Sequence, residues 1–349
     1  MNFYKSLDFV ILLLLGSIII SVVFAWLSIK IAPKVGLMDI PGSAKHKNHQ
    51  KPVPLTGGIV LLDTILIMMI ITGLWRSNEV LAICVSSLII GIMGIIDDYL
   101  NLRPIIKFIG QLIASIVLIY LGVKVNLFNS PEFFFRTESS LDNYLNLFLT
   151  LLWLTTITNA FNFIDSSDGL AIGLCGVSTA FFIFISLTTN QENILFLCTI
   201  ILGVCIGLYF FNSHPATLFL GDSGAQTLGF LLASIAILYN PKTGIQTSTW
   251  FVPIMLFYVP LFDLLLVIFS RLKRGKEIYK ASQDHTYHRL SNRGIAIHHS
   301  LLIMHGISLV MSMVGYLCLN LNAIYSNIIF ILSIMLGLIA FMELEKEYT

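Results

Sequence analysis

The chain has 349 residues and a net charge of +1; 56% of its residues are hydrophobic, 11% are charged, and the mean hydropathy is +0.88. Because soluble globular domains carry about 25% charged residues, this composition excludes a soluble α/β protein and indicates a polytopic membrane protein. The five cysteines lie scattered in apolar runs, without CxxC or zinc-like histidine spacing, and are expected to be packed thiols: Cys84, Cys175, Cys198, Cys205 and Cys318.

A membrane-spanning helix needs about 20 mainly apolar residues. This criterion predicts an all-α, polytopic integral membrane protein with ten or eleven spans, organised as a single domain over residues 1–349. The first apolar run is too long for a signal-peptide core and lacks a cleavage site, so it is predicted to be an uncleaved span. The eleven predicted spans are 8–31, 55–75, 79–97, 104–123, 143–161, 170–189, 192–212, 218–240, 250–271, 300–320 and 323–342.

The distribution of lysine and arginine predicts the orientation of the chain. With eleven spans, 15 of the 20 Lys and Arg residues fall on the side that carries the C-terminus. Cytoplasmic loops hold the excess of positive charge, so this side is predicted to be cytoplasmic and the N-terminus to lie outside. Every polar cluster of the chain falls at a predicted cytoplasmic span end. Such a distribution favours an enzyme at the membrane surface over a transporter, whose polar groups lie near the midplane.

Two adjacent acids close the third predicted span. The run "IGIMGIIDDYLNLRPIIK" contains Asp97 and Asp98, and neighbouring helical side chains point about 100° apart, so separate roles are expected for the two carboxylates. Pro104 suits the first turn of the next helix, on which Lys107 and Gln111 share a face. An acidic turn between two spans is the alternative interpretation.

Four polar residues recur at intervals of three in "NAFNFIDSSDGL", and each neighbouring pair is expected to share a helix face. Two amides and two carboxylates suit a sugar, a nucleobase or a hard cation with oxygen ligands. Polar capping of a helix end is the alternative. The four residues are Asn159, Asn162, Asp165 and Asp168.

A second loop motif, "FNSHPATLFLGDSG", begins just before Asn212 and surrounds Asp222 with a proline and two glycines. Small residues beside an acid let a phosphate–metal unit approach backbone amides. A re-entrant turn with a capping acid is the alternative.

Basic residues and histidines follow the ninth predicted span. The stretch 271–294 holds seven Lys and Arg residues together with His285 and His288, which share a face if the stretch is helical. Such groups suit phosphate or anionic lipid, and an ordinary positive-inside loop is the alternative. Within the ninth span, Pro260 predicts a kink, and Asp263 is expected to satisfy the broken helix or to face a cavity.

These clusters supply carboxylates for a metal, amides for a nucleotide or sugar and cations for phosphates. The Pro-, Gly-, Lys- and His-rich stretch 38–58 is predicted to be a structured loop on the same side. Kinked apolar helices nearby can hold a lipid tail. This combination is typical of phosphoryl transfer from a nucleotide-activated donor to a lipid phosphate, which needs a divalent ion, cationic side chains and in-line positioning.

The motifs "HQKPVPLTGG", "GIIDDYLNLRPIIKFIGQ", "NAFNFIDSSDGL", "FNSHPATLFLGDSG", "VPLFD" and "DHTYHRL" occur in this order within a core of about 39–294. In this order they resemble the polyprenyl-phosphate N-acetylhexosamine-1-phosphate transferases, which include undecaprenyl-phosphate GlcNAc-1-phosphate transferases and the phospho-MurNAc-pentapeptide translocase. The resemblance implies a bacterial inner-membrane enzyme that transfers a HexNAc-1-phosphate from a UDP-sugar to undecaprenyl phosphate and releases UMP. It also implies Mg²⁺, replaceable by Mn²⁺, no nucleic-acid partner, and the homodimer often found in the family.

The resemblance implies individual roles as well. Asp97 matches the acid that deprotonates or orients the lipid phosphate, with Asp98 beside it. Asp222 matches the Mg²⁺ ligand, joined by Asn162. Phosphate contacts are implied for Lys107 and His285, with His288 or Arg289. Substrate binding is assigned to Asn159 and Asp165, and the uridine pocket to Asp168, Asn212 and Phe219. The ninth helix is bent in this family and walls the lipid groove.

The chain departs from the family pattern at three places. Ser166 and Ser167 interrupt the usual Asp-Gly-x-Asp-Gly, Tyr287 stands where the last motif usually has a histidine, and Leu55-Thr56 precede the Gly-Gly pair where an arginine is usual. The missing triple histidine argues against the MurNAc-pentapeptide enzyme. GlcNAc is the preferred sugar, with GalNAc, FucNAc and QuiNAc as alternatives.

Two other function classes compete. An ion-coupled transporter would use Asp63, Asp263 and the Asp97–Asp98 pair, and that class predicts midplane acids and an internal repeat. Only Asp63 and Asp263 lie clearly within predicted spans, and the sequence shows no repeat. A membrane prenyltransferase needs paired DxxxD-type motifs, whereas this chain has one adjacent acid pair and one pair spaced by three.

Overall fold

The computed structural model describes residues 3–41, 51–128, 140–239, 250–279 and 282–346. These residues form thirteen α-helices and one two-stranded antiparallel sheet, which confirms the all-α prediction. They fall into two compact units, one made of 3–40, 51–128 and 140–239 and the other containing 250–279 and 282–346. The assignment of the whole chain to a single domain stays a prediction.

Eight helices of the first unit carry most of its chain: α1 Phe3–Val35, α2 Gly57–Thr72, α3 Asn78–Leu100, α4 Pro104–Tyr120, α5 Ser140–Ile164, α6 Leu170–Thr189, α7 Glu192–Asn212 and α8 Gly221–Leu238. Between α1 and α2, strands β1 Met38–Asp39 and β2 Val53–Pro54 pair antiparallel, with Met38 opposite Pro54. A 3₁₀ turn, Leu74–Arg76, precedes α3. Residues 42–50, the most basic part of the predicted structured loop, lie outside the described residues.

Helix α8 is the central element of the first unit. It packs against α3 and α5, and 78% of its apolar stretch is buried. Small residues let membrane helices approach closely, because packing rather than hydrophobic exclusion drives their association in lipid. The sequence of α8 supplies them as Gly224, Ala225, Gly229 and Ala233. Helix α7 packs against α1 and α6.

The second unit contains five helices: α9 Val252–Leu256, α10 Tyr258–Lys273, α11 Thr286–Asn292, α12 Ile297–Cys318 and α13 Ala323–Lys346. The predicted ninth span is interrupted between α9 and α10, at Phe257. Pro260 has no N–H to donate to the carbonyl four residues earlier, so the break lies where the sequence predicts a kink.

Eight of the described helices are long and apolar enough to cross a membrane: α1, α3, α5, α6, α7, α8, α12 and α13. The predicted spans 55–75 and 104–123 form the shorter apolar helices α2 and α4. These lengths fit a polytopic membrane protein, whereas the count of eleven spans and the orientation stay predictions.

Candidate active site

The ammonium of Lys107 lies between two carboxylates that come from different helices. Its Nζ pairs with Oδ2 of Asp97, in the last turn of α3, and lies 3.2 Å from Oδ2 of Asp222, in the first turn of α8. Pro104 is the first residue of α4, as predicted, and places Lys107 near the start of that helix. The side chain of Asp97 is 1% exposed, whereas those of Lys107 and Asp222 are 26% and 30% exposed. The end of α3 and the starts of α4 and α8, separate in the sequence, therefore meet at one site.

The side chain of Asp98 caps helix α8 and does not join the contact of Lys107 with Asp97 and Asp222. Its Oδ1 accepts the backbone N–H of Asp222 at 2.7 Å, and its Oδ2 accepts that of Ser223 at 3.2 Å. The residue at the N-cap position of α8 is Leu220, whose side chain cannot accept a hydrogen bond. The carboxylate from α3 therefore satisfies two of the unpaired N–H groups and lies at the positive end of the α8 dipole.

Gly221 allows this approach. Its φ of 72° lies in the left-handed region, and a Cβ added there would lie 2.6 Å from Oδ2 of Asp98. Any other residue would be strained and would push against the capping carboxylate. The glycine of the "GDSG" segment is thus needed for the contact between α3 and α8.

Main-chain hydrogen bonds fix the start of α8 against the segment between β2 and α2. The N–H of Phe219 donates to the carbonyl of Pro54 at 2.9 Å, and the N–H groups of Gly57 and Gly58 donate to the carbonyls of Phe219 and Leu220 at 3.0 Å each. The Gly-Gly pair therefore acts through its backbone. The side chain of Phe219, predicted to line the uridine pocket, is half-buried.

The asparagine and aspartate repeat does not continue on one helix face. Helix α5 ends at Ile164, so Asn162 lies on the helix and is half-buried, whereas Asp165 and Asp168 lie in the turn that follows. The prediction that each neighbouring pair of the four residues shares a helix face is wrong beyond Asn162. Serine and aspartate side chains compete with the helix for backbone hydrogen bonds, and the following glycine, Gly169, has a φ of 74°.

The carboxylate of Asp168 holds the loop before α8. Its Oδ2 accepts hydrogen bonds from Nδ1 of His214 at 2.9 Å and from the backbone N–H of Ala216 at 3.2 Å. Asn212 joins the same two loops: its Oδ1 accepts from the N–H of Gly169 at 3.2 Å, and its Nδ2 donates to the carbonyl of Leu218 at 3.0 Å. Asn212 is 2% exposed. Both side chains thus shape this wall of the site, and their contacts with uridine stay predictions.

Negative charge accumulates around Asp165. Burial raises the pKa of its carboxyl to about 8, and the nearby charges of Asp222, Asp98 and Asp168 raise the pKa as well. Two carboxylates, those of Asp97 and Asp222, contact one ammonium, that of Lys107. Negative charge is therefore in excess at this contact.

This charge excess fits a divalent cation. Within the described ranges no three His, Cys, Asp or Glu side chains lie close enough together to hold a metal alone. Magnesium, however, is usually held by one or two carboxylates together with substrate phosphates and water. Of the two carboxylates that contact Lys107, that of Asp222 is partly exposed. One accessible carboxylate suits a magnesium ion whose other ligands come from a diphosphate and water.

In the second unit, Asp263 organises the start of α11. It is 0% exposed, and it accepts hydrogen bonds from Nδ1 of His285 at 2.8 Å and from the N–H and Oγ1 of Thr286 at 2.7 Å each. Asp263 therefore holds His285 and Thr286 at the start of α11. These hydrogen bonds explain why a predicted span contains an acid. His285 is the N-cap residue of α11 and is 6% exposed.

The rings of Tyr287 and His288 lie against each other, with centroids 4.0 Å apart, and the centroid of His288 lies 5.8 Å from that of His285. Burial lowers the pKa of His288 to about 4, and the neighbouring His285 lowers the pKa as well. His288 is therefore neutral at pH 7 and offers a phosphate no positive charge.

Arg289 is buried, with 2% of its surface exposed. Its Nη1 donates to Oε2 of Glu345 at 2.6 Å and to the carbonyl of Leu344 at 3.1 Å, and its Nε donates to the carbonyl of Asp284 at 3.0 Å. In this structure the guanidinium joins α11 to the end of α13. A phosphate contact for Arg289 stays a prediction that these bonds do not favour.

The structure also adds a residue that the motifs miss. Gln226 lies one turn after Asp222 on α8, and its Nε2 donates to Oδ1 of Asp222 at 3.3 Å. The i, i+4 spacing was the available signal. Asn159 donates through Nδ2 to Oε1 of Gln111 at 2.8 Å and to the carbonyl of Thr155 at 2.7 Å, and its contact with substrate stays a prediction.

Comparison with known proteins gives concordant matches. Residues 80–240 match the model of glycosyl transferase family 4. A "probable undecaprenyl-phosphate N-acetylglucosaminyl 1-phosphate transferase" of Bacillus subtilis strain 168 is 31% identical over 89% of this chain and 86% of the relative. A "decaprenyl-phosphate N-acetylglucosaminephosphotransferase" of Mycobacterium leprae is 30% identical over 70% of this chain and 68% of the relative. A "phospho-N-acetylmuramoyl-pentapeptide-transferase" of Halalkalibacterium halodurans is 30% identical over 70% of this chain and 78% of the relative.

Proposed function

The chain belongs to the polyprenyl-phosphate N-acetylhexosamine-1-phosphate transferase family, and we propose that it transfers GlcNAc-1-phosphate from UDP-GlcNAc to undecaprenyl phosphate. The products are UMP and undecaprenyl-diphosphate-GlcNAc. The observation that carries this proposal is the meeting of Asp97, Lys107 and Asp222 at one site, in a chain that matches a GlcNAc-1-phosphate transferase along 89% of its length.

In this reaction an oxygen of the lipid phosphate attacks the phosphorus bonded to the sugar, and the bond from that phosphorus to the bridging oxygen breaks, so that UMP leaves. A phosphate monoester is already a competent nucleophile, so positioning and charge neutralisation contribute more than base catalysis. Lys107 supplies a cation at the diphosphate. Asp97, buried beneath Lys107, orients that ammonium and through it the lipid phosphate.

Magnesium is the proposed metal, with Mn²⁺ as a substitute, and Asp222 is its proposed protein ligand, joined by Asn162. When bound, the ion would neutralise charge on the diphosphate. Asp98 keeps Asp222 in place by capping α8, and Asp168 and Asn212 shape the loops beside it. His285, held by Asp263, is proposed to contact a phosphate.

The proposed location is a bacterial inner membrane, with the site on the cytoplasmic side, the N-terminus outside and the C-terminus inside. The excess of lysine and arginine on the side of the polar motifs supports this orientation. UDP-sugars are cytosolic donors in this reaction class, so the site must face the cytoplasm for the proposal to hold.

The test uses purified protein in detergent with undecaprenyl phosphate, Mg²⁺ and UDP-GlcNAc, and it follows UMP release. We expect UMP that disappears with EDTA and in Asp222→Asn. The matched control is Glu79→Gln, an exposed acid at the other end of α3, which should keep wild-type turnover. UMP from UDP-GalNAc or another UDP-HexNAc alone would reassign the sugar, and no UMP from the whole panel would refute the transferase proposal.

A further inference from the structure

Three amide side chains, two of them buried and that of Asn159 half-buried, form a continuous chain of hydrogen bonds that ends on Asp222. Gln226 donates through Nε2 to Oδ1 of Asp222 at 3.3 Å. Its own Oε1 accepts from Nε2 of Gln111 at 3.0 Å. Oε1 of Gln111 accepts in turn from Nδ2 of Asn159 at 2.8 Å. The chain crosses from α5 through α4 to α8, and we call it the amide relay.

The direction of every bond in the amide relay is fixed at its far end. The carbonyl of Thr155 can only accept, and it lies 2.7 Å from Nδ2 of Asn159. The NH₂ group of Asn159 must therefore face both the carbonyl of Thr155 and the side chain of Gln111. Because an NH₂ group donates, the oxygen of Gln111 must face the NH₂ group of Asn159. The NH₂ of Gln111 then faces Gln226, and the NH₂ of Gln226 faces Asp222. A flip of any amide would set two donors or two acceptors against each other.

Packing alone does not explain these amides. Gln111 is 2% exposed and Gln226 is 4% exposed, and both lie in helices made mainly of apolar residues. Burying an unpaired amide is costly, and a leucine would fill each position without that requirement. A fully paired polar network instead restricts side chains to one arrangement. The amide relay thus gives Gln226 a single orientation.

The two oxygens of Asp222 have different partners. Oδ2 lies 3.2 Å from Nζ of Lys107, and Oδ1 lies 3.3 Å from Nε2 of Gln226. Two donors on opposite oxygens restrict rotation of the carboxylate about its last bond. Lone pairs on the exposed side are left for a further ligand.

We propose that Gln226 is a positioning residue that, with Gln111 behind it, fixes the plane of the Asp222 carboxylate for a divalent cation. The inference rests on the proposed function, because that function places the metal at Asp222. Ligands in the primary coordination sphere of metals are commonly oriented by such hydrogen bonds, and loss of one such partner typically weakens metal affinity or activity by about 10–100-fold.

The test measures metal affinity directly, with Mn²⁺ as the probe and EPR of free Mn²⁺ as the readout, on purified protein with UDP. We expect Gln226→Leu to raise the Mn²⁺ Kd by about 10–100-fold. The matched control is Thr227→Val, the next residue on α8, whose hydroxyl bonds within its own helix to the carbonyl of Ser223. Thr227→Val should bind Mn²⁺ like the wild type.

Two further variants guard the result against misfolding. Gln226→Asn keeps a buried amide but is one methylene too short to reach Asp222, so it should weaken Mn²⁺ binding as Gln226→Leu does. Gln111→Leu should weaken binding less, and the double variant Gln111→Leu/Gln226→Leu should match Gln226→Leu alone, because the relay is already interrupted.

An unchanged Mn²⁺ Kd in Gln226→Leu and Gln226→Asn would overturn the positioning role. A wild-type protein that binds no Mn²⁺ with UDP would overturn the metal site and this inference together. A third outcome is that the wild type binds Mn²⁺, the Gln226 variants bind it more weakly, and the wild type releases no UMP from any donor. That result would refute the proposed reaction and support the positioning role.

Discussion

The backbone N–H of Asp222 donates to Oδ1 of Asp98 at 2.7 Å, so the proposed metal ligand is held through its main chain by an acid of another helix. The two neighbouring acids of the "DDY" motif thus have different partners. Asp97 faces Lys107, and Asp98 faces the start of α8.

Replacing Asp98 with alanine should destabilise the protein by about 1–2 kcal/mol, the range typical of a lost helix cap. Asp98→Asn should lose less stability than Asp98→Ala, because the amide oxygen of asparagine still accepts one N–H. Thermal unfolding of purified protein in detergent measures both variants. Glu192→Gln, an exposed acid in the first turn of α7, serves as the control and should lower the Tm much less, because it loses only a screened interaction with the helix dipole. Equal Tm values for Asp98→Ala and wild type would contradict the capping role.

Replacing Lys107 with methionine should lower both stability and turnover. It leaves the buried Asp97 carboxylate without its cation; breaking a buried pair costs about 3–5 kcal/mol, and partial exposure of Lys107 reduces this cost. UMP release should fall about 100-fold, the lower range for removal of one stabilising donor. Adding Asp97→Asn to Lys107→Met should restore much of the Tm but not the activity. If the double variant is less stable than Lys107→Met, the pairing is not what stabilises Asp97.

Replacing Gly94 with alanine should separate α3 from α8. A Cβ at Gly94 would lie 2.3 Å from the Cα of Ser223, and overpacking of this kind costs about 1–3 kcal/mol. Gly306 in α12 is the matched helical control, since a Cβ there would meet no atom within 4 Å. The Tm should fall for Gly94→Ala and stay level or rise for Gly306→Ala. A similar response of the two variants would show that close contact at Gly94 does not limit stability.

Stability should fall as pH rises towards 8, in part because of Asp165. Its folded pKa of about 8 exceeds the usual value of an unfolded aspartate, about 3.9. The folded state therefore binds the proton more tightly, and stability is lost between these two pKa values as the pH rises. Asp165→Asn should flatten the dependence of Tm on pH between 5 and 8, measured in EDTA, whereas Glu192→Gln should not. Parallel pH profiles for wild type and Asp165→Asn would contradict the raised pKa.

The sequence predicts that its polar motifs lie at span ends on one side of the membrane, and the structure brings the end of α3 and the starts of α4 and α8 together within the first unit. The run of apolar residues set the helices, and Pro104 and Pro260 marked a helix start and a helix break that the structure contains.

Pairings between distant residues could not be predicted in this way. Arg289 binds Glu345, 56 positions later in the chain, and no local spacing links the two. The capping of α8 by Asp98 spans 124 positions. The end of α5 was missed for another reason: a regular three-residue interval indicated a helix, but "DSSDG" supplies side chains that bond to the backbone in turns.

The backbone bonds at the start of α8 make the site sensitive to chain length. Gly57 and Gly58 bind the carbonyls of Phe219 and Leu220, so the register of these two segments is set by peptide groups that every sequence possesses. Inserting or deleting one residue between Leu220 and Asp222 would turn the acid by about 100° around α8, away from Lys107. Side-chain exchanges at Phe219 or Leu220, by contrast, leave these peptide groups in place. The position of Asp222 therefore depends more on the number of residues in this segment than on the side chains of Phe219 and Leu220.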